Sequence, residues 1–449
     1  MLWRLTAAEA AKGVREGAFS AAELVRDCLS RIEETDGAIG AWAALDRDLA
    51  LAQAEQKDEI RRQGRPTGAL HGVPVAVKDL FDTKAWPTAW GAPYLAERRP
   101  EADAAVVSKL REAGAVILGK SVTTELAVGA TVATRNPHNP DRTSGGSSAG
   151  SSAAVAAAQA LLGVGTQTYG SIVRPASYCG VYGYKPTRGL VSRRGCLICS
   201  DTLDQVGVLG RTLEDMALLA DALTGYDPAD PWTNDLPKPR LVEGWRADPP
   251  VEPVFAVFDL PYADRFSDTL RQGFDAMIEA LGDRVERLPA PPAFEAFLRG
   301  QDAVHGFEFI NAVRENPDLD RARLSPELEV KLARAEGVAE SQYREALDTM
   351  GAARSFFSAF FKDYDAVLTP SATGEALPMG QGTGDPICSV IWTFAGLPGL
   401  SLPWLSGAEN MPLGVQLVGA EGEDDRLFRT ARWLETRLAG AGDQQGDAA

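Results

Sequence analysis

Residues 143–154 read TSGGSSAGSSAA, and the chain continues directly with the apolar VAAAQALL. A flexible Gly/Ser linker normally lies between polar segments that separate domains. Serine and glycine are also common where a helix begins, because free backbone N–H groups there need acceptors. The stretch therefore predicts a shaped loop that leads into a buried helix inside a folded domain.

The segments around this loop alternate between strand and helix patterns. ALHGVPVAVKDLF (69–81) is a continuous apolar run with one lysine, which is typical of a strand buried on both faces. Residues 103–120 predict a helix, a glycine stop and a strand, and GVGTQ (163–167) predicts a strand before a second glycine-bearing loop. With the helix predicted over 148–162, the pattern is that of an α/β fold.

The rest of the chain predicts one domain with an insertion. Strand patterns return at 364–372 and in AGLPGLSLPW and MPLGVQLVGA, whereas the preceding stretch is charged, helical in pattern and interrupted by prolines. The expected divisions are a single domain over 1–439, its core at 65–225 and 364–439, a variable helical cap at 226–363, and a disordered tail at 440–449.

Charge and hydropathy exclude some classes of partner. The 449 residues include 62 acidic and 45 basic side chains, which gives a formal net charge of −17. Such a chain repels phosphate backbones and anionic lipid on average, so nucleic acid and membrane are not expected partners. No apolar run is long enough for a membrane span or a signal-peptide core. We expect a cytoplasmic protein.

Cysteine and histidine usage argues against a metal site. Cys196 and Cys199 form a C-x-x-C, but no second pair or nearby histidine completes a zinc site. His71, His138 and His305 are the only histidines, which disfavours chemistry that needs several imidazoles. No metal or cofactor is expected.

The segment GSSAG (146–150) fits the nucleophile-elbow pattern G-x-S-x-G, with Ser148 as the nucleophile. That elbow must follow a strand directly, whereas RNPHNPDRTSG precedes this one. The structural context therefore disfavours an α/β-hydrolase.

Lys78 stands out because it lies on the apolar strand. Burial disfavours the charged form of a lysine and lowers its pKa, so the neutral amine can act as a base. The alternative is that Lys78 ends the strand and pairs with Asp79 or Asp82. Likewise, Ser147 and Ser171 can be explained as small polar turn residues beside glycine.

The combination of segments resembles the amidase signature family over most of the chain. The matching pieces are LHGVPVAVKDLFD, SGGSSAGSSAAVAA, GTQTYGSIVRPASYCGVYGYKPTRG, SDTLDQVGVLGRTLED, AGLPGLSLP and MPLGVQLVG. The resemblance implies a large central mixed β-sheet with helices on both faces. It also implies a catalytic triad of Lys78, Ser147 and Ser171, with a cis peptide bond at Ser147 and Ser171 as the nucleophile.

Further site residues follow from the same resemblance. The backbone N–H groups of the nucleophile loop form the oxyanion hole, here those of Thr168, Tyr169, Gly170 and Ser171. The residues expected to support the two loops are Gly146, Ser148, Gln167 and Arg174.

This chain departs from the family pattern GTDTGGSIRxPAS, since it has GTQTYGSIVRPAS. Gln167 replaces an aspartate, Tyr169 replaces a glycine, and Arg174 sits one place later. Tyr169 either projects towards the acyl part of the substrate or packs inward. Trp392 and Phe394 are pocket candidates, with a core position as the alternative.

The expected function is hydrolysis of a C–N bond in a small amide or carbamate through an acyl-enzyme, and esters are also within the family's chemistry. This describes an aryl amidase or urethanase acting as a monomer or homodimer. The alternative is the amidase subunit of a tRNA-dependent amidotransferase, which Tyr169 and the lack of a basic stripe disfavour. A non-catalytic binding protein is disfavoured because all triad positions are filled.

Overall fold

Eleven strands form a single sheet in the computed structural model, which describes residues 1–235 and 237–446, with side chains up to residue 439. The strands are β1 (Trp42–Leu45), β2 (Pro74–Lys78), β3 (Val116–Ser121), β4 (Leu162–Gln167), β5 (Tyr182–Lys185), β6 (Gln205–Gly210), β7 (Phe255–Asp259), β8 (Val285–Pro289), β9 (Ala366–Pro370), β10 (Gly399–Ser406) and β11 (Pro412–Val418). Their order across the sheet is β1-β3-β2-β4-β6-β5-β10-β11-β9-β7-β8.

Helices separate most of the strands along the chain. They are α1 (Ala7–Glu16), α2 (Ala21–Ile39), α3 (Arg47–Arg62), α4 (Ala105–Glu112), α5 (Ala149–Ala156), α6 (Val173–Cys179), α7 (Leu213–Leu223), α8 (Leu241–Arg246), α9 (Asp268–Leu281), α10 (Ala293–Glu315), α11 (Pro326–Ala335), α12 (Glu340–Phe360), α13 (Ile387–Phe394) and α14 (Asp424–Gly446).

The sheet is mixed, as predicted. Strand β2 runs parallel to both neighbours, β3 and β4, whereas β6 pairs antiparallel with β4. At the other end of the sheet β7 is parallel to β8 and β9. The carboxyl ends of β2 and β4 therefore lie side by side, which is where an open α/β sheet usually offers a ligand site.

Both faces of the sheet are covered. Successive side chains of a strand point to opposite faces. On β9, Ala366 and Leu368 belong to one buried apolar cluster, whereas Val367 between them belongs to another with Trp392 and Phe294. Two apolar layers therefore enclose the sheet, and the α/β prediction with helices on both faces is confirmed.

The predicted cap needs a correction. Within 226–363, β7 and β8 are strands of the central sheet, so this stretch is not wholly helical and part of it belongs to the core. The reason is visible in VFAVF (254–258), an apolar and aromatic run that fits a buried strand. The helices within this stretch are α8 to α12, of which α10, α11 and α12 are here called the cap helices.

The end of the chain also differs from the expectation of a disordered tail. Helix α14 continues to Gly446, so it includes residues 440–446 of that tail. Residues 447–449 lie outside the described part of the chain. In the described residues, none of the helices combines the length and apolar character needed to cross a bilayer.

Candidate active site

The structure brings Lys78 and Ser147 into direct contact. Lys78 is the last residue of β2 and is fully buried. Its Nζ donates hydrogen bonds of 2.8 Å to the Ser147 hydroxyl and 2.8 Å to the hydroxyl of Thr166 on the neighbouring strand β4. The parallel pairing of β2 with β4 sets this geometry, because it places the ends of the two strands at the same level.

Burial lowers the pKa of Lys78 to about 7, although the nearby Cys196, Asp204 and Cys199 oppose the shift. Both partners of its amine are hydroxyls, which can donate as well as accept. A neutral amine is therefore compatible with the hydrogen bonds that Lys78 makes. This is the protonation state that a general base requires.

Lys185 provides a useful contrast. Burial also lowers its pKa to about 7, but its Nζ meets the carbonyl oxygens of Pro186, Gln205 and Leu397. These oxygens only accept hydrogen bonds, so three N–H donors are needed to satisfy them. We therefore assign the charged form to Lys185, whereas Lys78 has no such requirement.

The simpler explanation for Lys78, an ion pair with a neighbouring aspartate, is wrong. Asp79 lies 2.9 Å from the amine of Lys120, and Asp82 pairs with Arg98 at 2.7 Å. Both carboxylates are thus ion-paired with other side chains.

The Gly/Ser loop is held from several sides. The peptide bond between Gly146 and Ser147 is cis. The Arg174 guanidinium donates to the Gly146 carbonyl at 2.6 Å and to the Thr383 carbonyl at 2.7 Å. The Ser148 hydroxyl contacts the backbone of Thr166, donating to its carbonyl at 3.2 Å and accepting from its N–H at 3.3 Å. These contacts fix the loop relative to β4.

Ser171 lies in the turn between β4 and α6, and its side chain borders the same cavity as Ser147. The turn is shaped by Gln167, whose side-chain oxygen accepts from the N–H groups of Ile172 at 2.9 Å and Val173 at 3.1 Å. In the described part of the chain, the Ser171 hydroxyl makes no hydrogen bond to another protein group. Its oxygen is therefore available to a substrate or to the Ser147 hydroxyl.

The same turn contains backbone donors without partners. The N–H groups of Thr168, Tyr169, Gly170 and Ser171 make no hydrogen bond to any residue that the structure describes. The carbonyls in the same turn are occupied, since Gln301 donates to that of Thr168 at 2.7 Å and Thr393 to that of Tyr169 at 2.8 Å. A turn whose carbonyl oxygens are hydrogen-bonded and whose N–H groups have no partner has the donors that an oxyanion needs.

A cavity of about 690 Å³ opens in front of Ser147 and Ser171. This is an ordinary size for a small-molecule site. Tyr169 lines it, and its hydroxyl donates to the Asp302 carboxylate on α10 at 2.9 Å. The Tyr169 ring also meets His305 edge-to-face at 5.1 Å. Of the two orientations expected for Tyr169, the structure has the one that faces the cavity.

Trp392 and Phe394 do not line this cavity, which corrects their assignment as pocket residues. Both side chains are fully buried in the aromatic core under the cap helices. Trp392 packs against Phe294 and Phe357, and its indole N–H donates to the Cys388 carbonyl at 3.0 Å. Their helix, α13, contributes Thr393 to the site instead.

Several supporting residues were missed from the sequence. Thr166 on β4 completes the surroundings of Lys78. Asp204 is buried, and its carboxylate accepts from the Thr168 hydroxyl and from the N–H groups of Cys199 at 2.7 Å and Ser200 at 3.1 Å. Burial raises the pKa of Asp204, whereas these hydrogen bonds lower it. Its only sequence signal is its position in the family segment SDTLDQVG.

The structure describes both cysteines of the C-x-x-C pair. Cys196 and Cys199 are free thiols, and in the described residues no group of three or more His, Cys, Asp or Glu side chains is arranged to hold an ion.

Comparisons with known proteins identify the family of the chain. The chain matches the family model described as Amidase over residues 23–428. It is 37% identical to the A subunit of the glutamyl-tRNA(Gln) amidotransferase of Anaeromyxobacter sp. (strain K), with 97% of each chain covered. The chain belongs to the amidase signature family and is therefore a hydrolase acting on carbon–nitrogen bonds.

Solved structures support the same assignment. One comes from a vestigial protein complex linked to the origins of an s-triazine catabolic enzyme, with a TM-score of 0.90, 29% identity, and coverage of 96% of this chain and 98% of that chain. Another is 6-aminohexanoate cyclic dimer hydrolase complexed with substrate, with a TM-score of 0.86, 26% identity and 97% coverage of both chains.

Proposed function

We propose that this chain hydrolyses the C–N bond of an amide or carbamate through an acyl-enzyme on Ser171. The observation that carries the proposal is the buried hydrogen bond between Lys78 and Ser147. Ser147 in turn lines the same cavity as Ser171. A serine hydroxyl is a weak nucleophile at its own pKa and needs a base within reach. Lys78 is that base, and Ser147 relays the proton.

In the first half of the reaction, the Ser171 oxygen attacks the carbonyl carbon. Its proton passes to Ser147, whose own proton passes to neutral Lys78. The carbonyl oxygen becomes an oxyanion held by the free N–H groups of the turn at 168–171, each typically worth about 3–4 kcal/mol in the transition state. The C–N bond then breaks, and the proton from Lys78 returns through Ser147 to the leaving nitrogen.

In the second half, water attacks the acyl-enzyme. The same relay takes one proton from the water, and the Ser171 oxygen leaves with a proton as the product acid is released, a carboxylic acid from an amide or a carbonic acid half-ester from a carbamate. Every proton taken up in one half is given back in that half, so the free enzyme is regenerated without a metal or cofactor in the scheme.

This chemistry fits two kinds of protein, a subunit that works with partner proteins and an enzyme that works alone. The curated relatives favour a partner-dependent one, in which the chain is the amidase subunit of a glutamyl-tRNA amidotransferase, because the likeness extends over 97% of both chains. The cavity supports a free-standing enzyme, because Tyr169 occupies the glycine position of the family pattern and joins the cap through Asp302. The chain's net charge of −17 also gives tRNA no direct electrostatic attraction.

The test is hydrolysis by the purified chain against aryl amides, primary amides including glutamine, aryl carbamates and esters. We expect turnover that is lost in Ser171→Ala and in Lys78→Ala, with both variants folded by circular dichroism. Full activity in Ser171→Ala would refute the proposed nucleophile. A wild-type chain that is silent alone but releases ammonia from glutamine when amidotransferase partner subunits are added would establish the partner-dependent setting.

A further inference from the structure

The charge inside the active-site cavity is opposite to the charge of the whole chain. The chain carries 62 acidic and 45 basic side chains. Among the described residues, the cavity is lined by four cationic side chains, Arg174, Arg299, Lys331 and Arg334, and by one acidic side chain, Asp302. A cleft lined mainly by one sign of charge concentrates ligands of the opposite sign.

Three of these cations come from the cap helices, and they differ in how far a carboxylate pairs with them. Arg334 on α11 has no carboxylate within 4.0 Å in the described residues. Lys331, one turn earlier, is paired with Glu327 at 3.4 Å and also donates to the Val128 carbonyl. Arg299 on α10 is 3.7 Å from Glu295 in an exposed pair, which compensates its charge only weakly.

The fourth cation, Arg174, is almost completely buried and has a spare donor. Its hydrogen bonds go to the Gly146 carbonyl and to Thr383, so no carboxylate neutralises it directly. Its Nη1 atom is buried and has no hydrogen-bond partner in the described residues. This nitrogen is beside the nucleophile turn, 3.2 Å from the position that a Cβ on Gly170 would occupy. A buried donor without an acceptor is rare unless a ligand or water supplies one.

The remaining titratable side chains of the wall offset only part of this positive charge, since Asp302 is one acidic group among four cations. The Asp302 carboxylate accepts a hydrogen bond from Tyr169, and burial raises its pKa. Burial lowers the pKa of His305 to about 4, so this ring is neutral near pH 7 and adds no charge of its own.

We propose that the substrate is an amide or carbamate that carries a carboxylate, and that this carboxylate lies on the cap side of the cavity against Lys331 and Arg334. The proposal rests on the proposed function, since the scissile bond must lie at Ser171. Arg174 adds positive potential from below the nucleophile turn. A carboxylate supplies the ion-pair partner that Arg334 lacks, whereas a neutral amide leaves this guanidinium to water.

Three short amides of similar size test the preference: succinamate, which is anionic, butanamide, which is neutral, and 4-aminobutanamide, which is cationic. We expect kcat/KM, measured by ammonia release, to be highest for succinamate, by roughly tenfold over butanamide, and lowest for 4-aminobutanamide. We also expect the succinamate preference to shrink as salt is added, because salt screens charges near the surface.

Variants then locate the carboxylate. Lys331→Ala and Arg334→Ala should each reduce the succinamate-to-butanamide ratio by about 5-fold, and Arg334→Glu should reduce it further. The matched control is Arg344→Ala, which removes another exposed cap arginine that pairs with Glu340 at 2.6 Å and does not line the cavity. This control should leave the ratio and both rates unchanged.

Binding to the Ser171→Ala variant separates this proposal from the proposed function. Calorimetric titration with succinamate and butanamide measures recognition without turnover. Selective binding of succinamate that is weakened by Arg334→Ala supports the anion site. If the wild-type chain nevertheless hydrolyses none of the three amides, the anion site stands and the proposed function is contradicted. Equal binding, or Ser171-dependent turnover with no preference for succinamate, would overturn the anion site and leave the proposed function standing.

Discussion

The phenol of Tyr169 donates a hydrogen bond of 2.9 Å to the carboxylate of Asp302, and this contact joins the nucleophile turn to cap helix α10. The two residues are 133 positions apart in the chain. The wall of the cavity beside the nucleophile turn is therefore built from the turn and the cap together. A change on either side of this contact is expected to alter which acyl groups fit.

Replacement of Tyr169 by glycine should widen the acyl specificity. Removing the ring enlarges the cavity beside the predicted oxyanion donors. We expect the ratio of kcat/KM for phenylacetamide to that for acetamide to rise by roughly tenfold or more, a change of the size that a pocket wall confers. The measurement is ammonia release from each amide over a range of concentrations.

The matched variant is Tyr169→Phe, which keeps the ring and removes only the hydrogen bond to Asp302. Its acyl preference should remain close to that of the wild type. An equal shift in both variants would show that the hydrogen bond, rather than the volume of the ring, sets the preference.

The activity should have an acid limb that reports Lys78. Burial lowers the pKa of this lysine to about 7, and only the neutral amine can take the proton relayed from Ser171. As the pH falls below about 7, the neutral fraction and kcat/KM should fall together by about tenfold per pH unit, and above that pH they should reach a plateau. Circular dichroism across the same range controls for unfolding. A kcat/KM that stays constant down to about pH 5 would exclude Lys78 as the base.

Asp204 should act as a positioning residue. Its carboxylate accepts from the Thr168 hydroxyl and from two backbone N–H groups. Asp204→Asn replaces one accepting oxygen by an NH2 group, which then faces groups that can only donate or prefer to donate a hydrogen bond. We expect kcat to fall by roughly tenfold to a hundredfold with little change in KM, because the Thr168 end of the oxyanion turn loses its anchor. Steady-state kinetics separates the two constants.

The control for Asp204 is Asp201→Asn in the same segment, since the Asp201 side chain is 68% exposed. This variant should behave like the wild type. A rise in KM without a loss of kcat in Asp204→Asn would contradict the positioning role.

Trp392→Ala should test the core assignment. The indole is fully buried against Phe294 and Phe357, so its removal should lower the free energy of unfolding by roughly 3–5 kcal/mol. Chemical denaturation measures this change, and Trp232→Ala is the control because that side chain is 38% exposed. A stable Trp392→Ala variant with a raised KM would place the residue in the substrate pocket after all.

The site residues that lie in short sequence motifs could be predicted from the sequence. The order of segments predicted the α/β fold, and the family pattern indicated Lys78, Ser147 and Ser171 as a group. The structure shows the first two in contact across 69 positions of the chain. Short motifs are informative here because a turn and the end of a strand have strong local requirements for glycine, serine and apolar residues.

The contacts that support the nucleophile turn could not be predicted from the sequence, because they join segments that are far apart in the chain. Gln167 reaches Thr393 across 226 positions, and Gln301 reaches Thr168 across 133. No spacing rule connects such residues, since only the packed tertiary structure brings them together. The strands inside the predicted cap were missed for a related reason, because a short apolar run does not by itself reveal which sheet it joins.

Gln167 gives the nucleophile turn a property that an aspartate at the same position would lack. Its side-chain oxygen holds the N–H groups of Ile172 and Val173 at the start of α6. An amide has no proton to gain between acidic and neutral conditions, whereas a carboxylate in this place would change its charge and its hydrogen bonding on acidification. The end of the turn that Gln167 holds is thus insulated from acid, and acid can loosen the turn only where the carboxylates of Asp204 and Asp302 hold Thr168 and Tyr169.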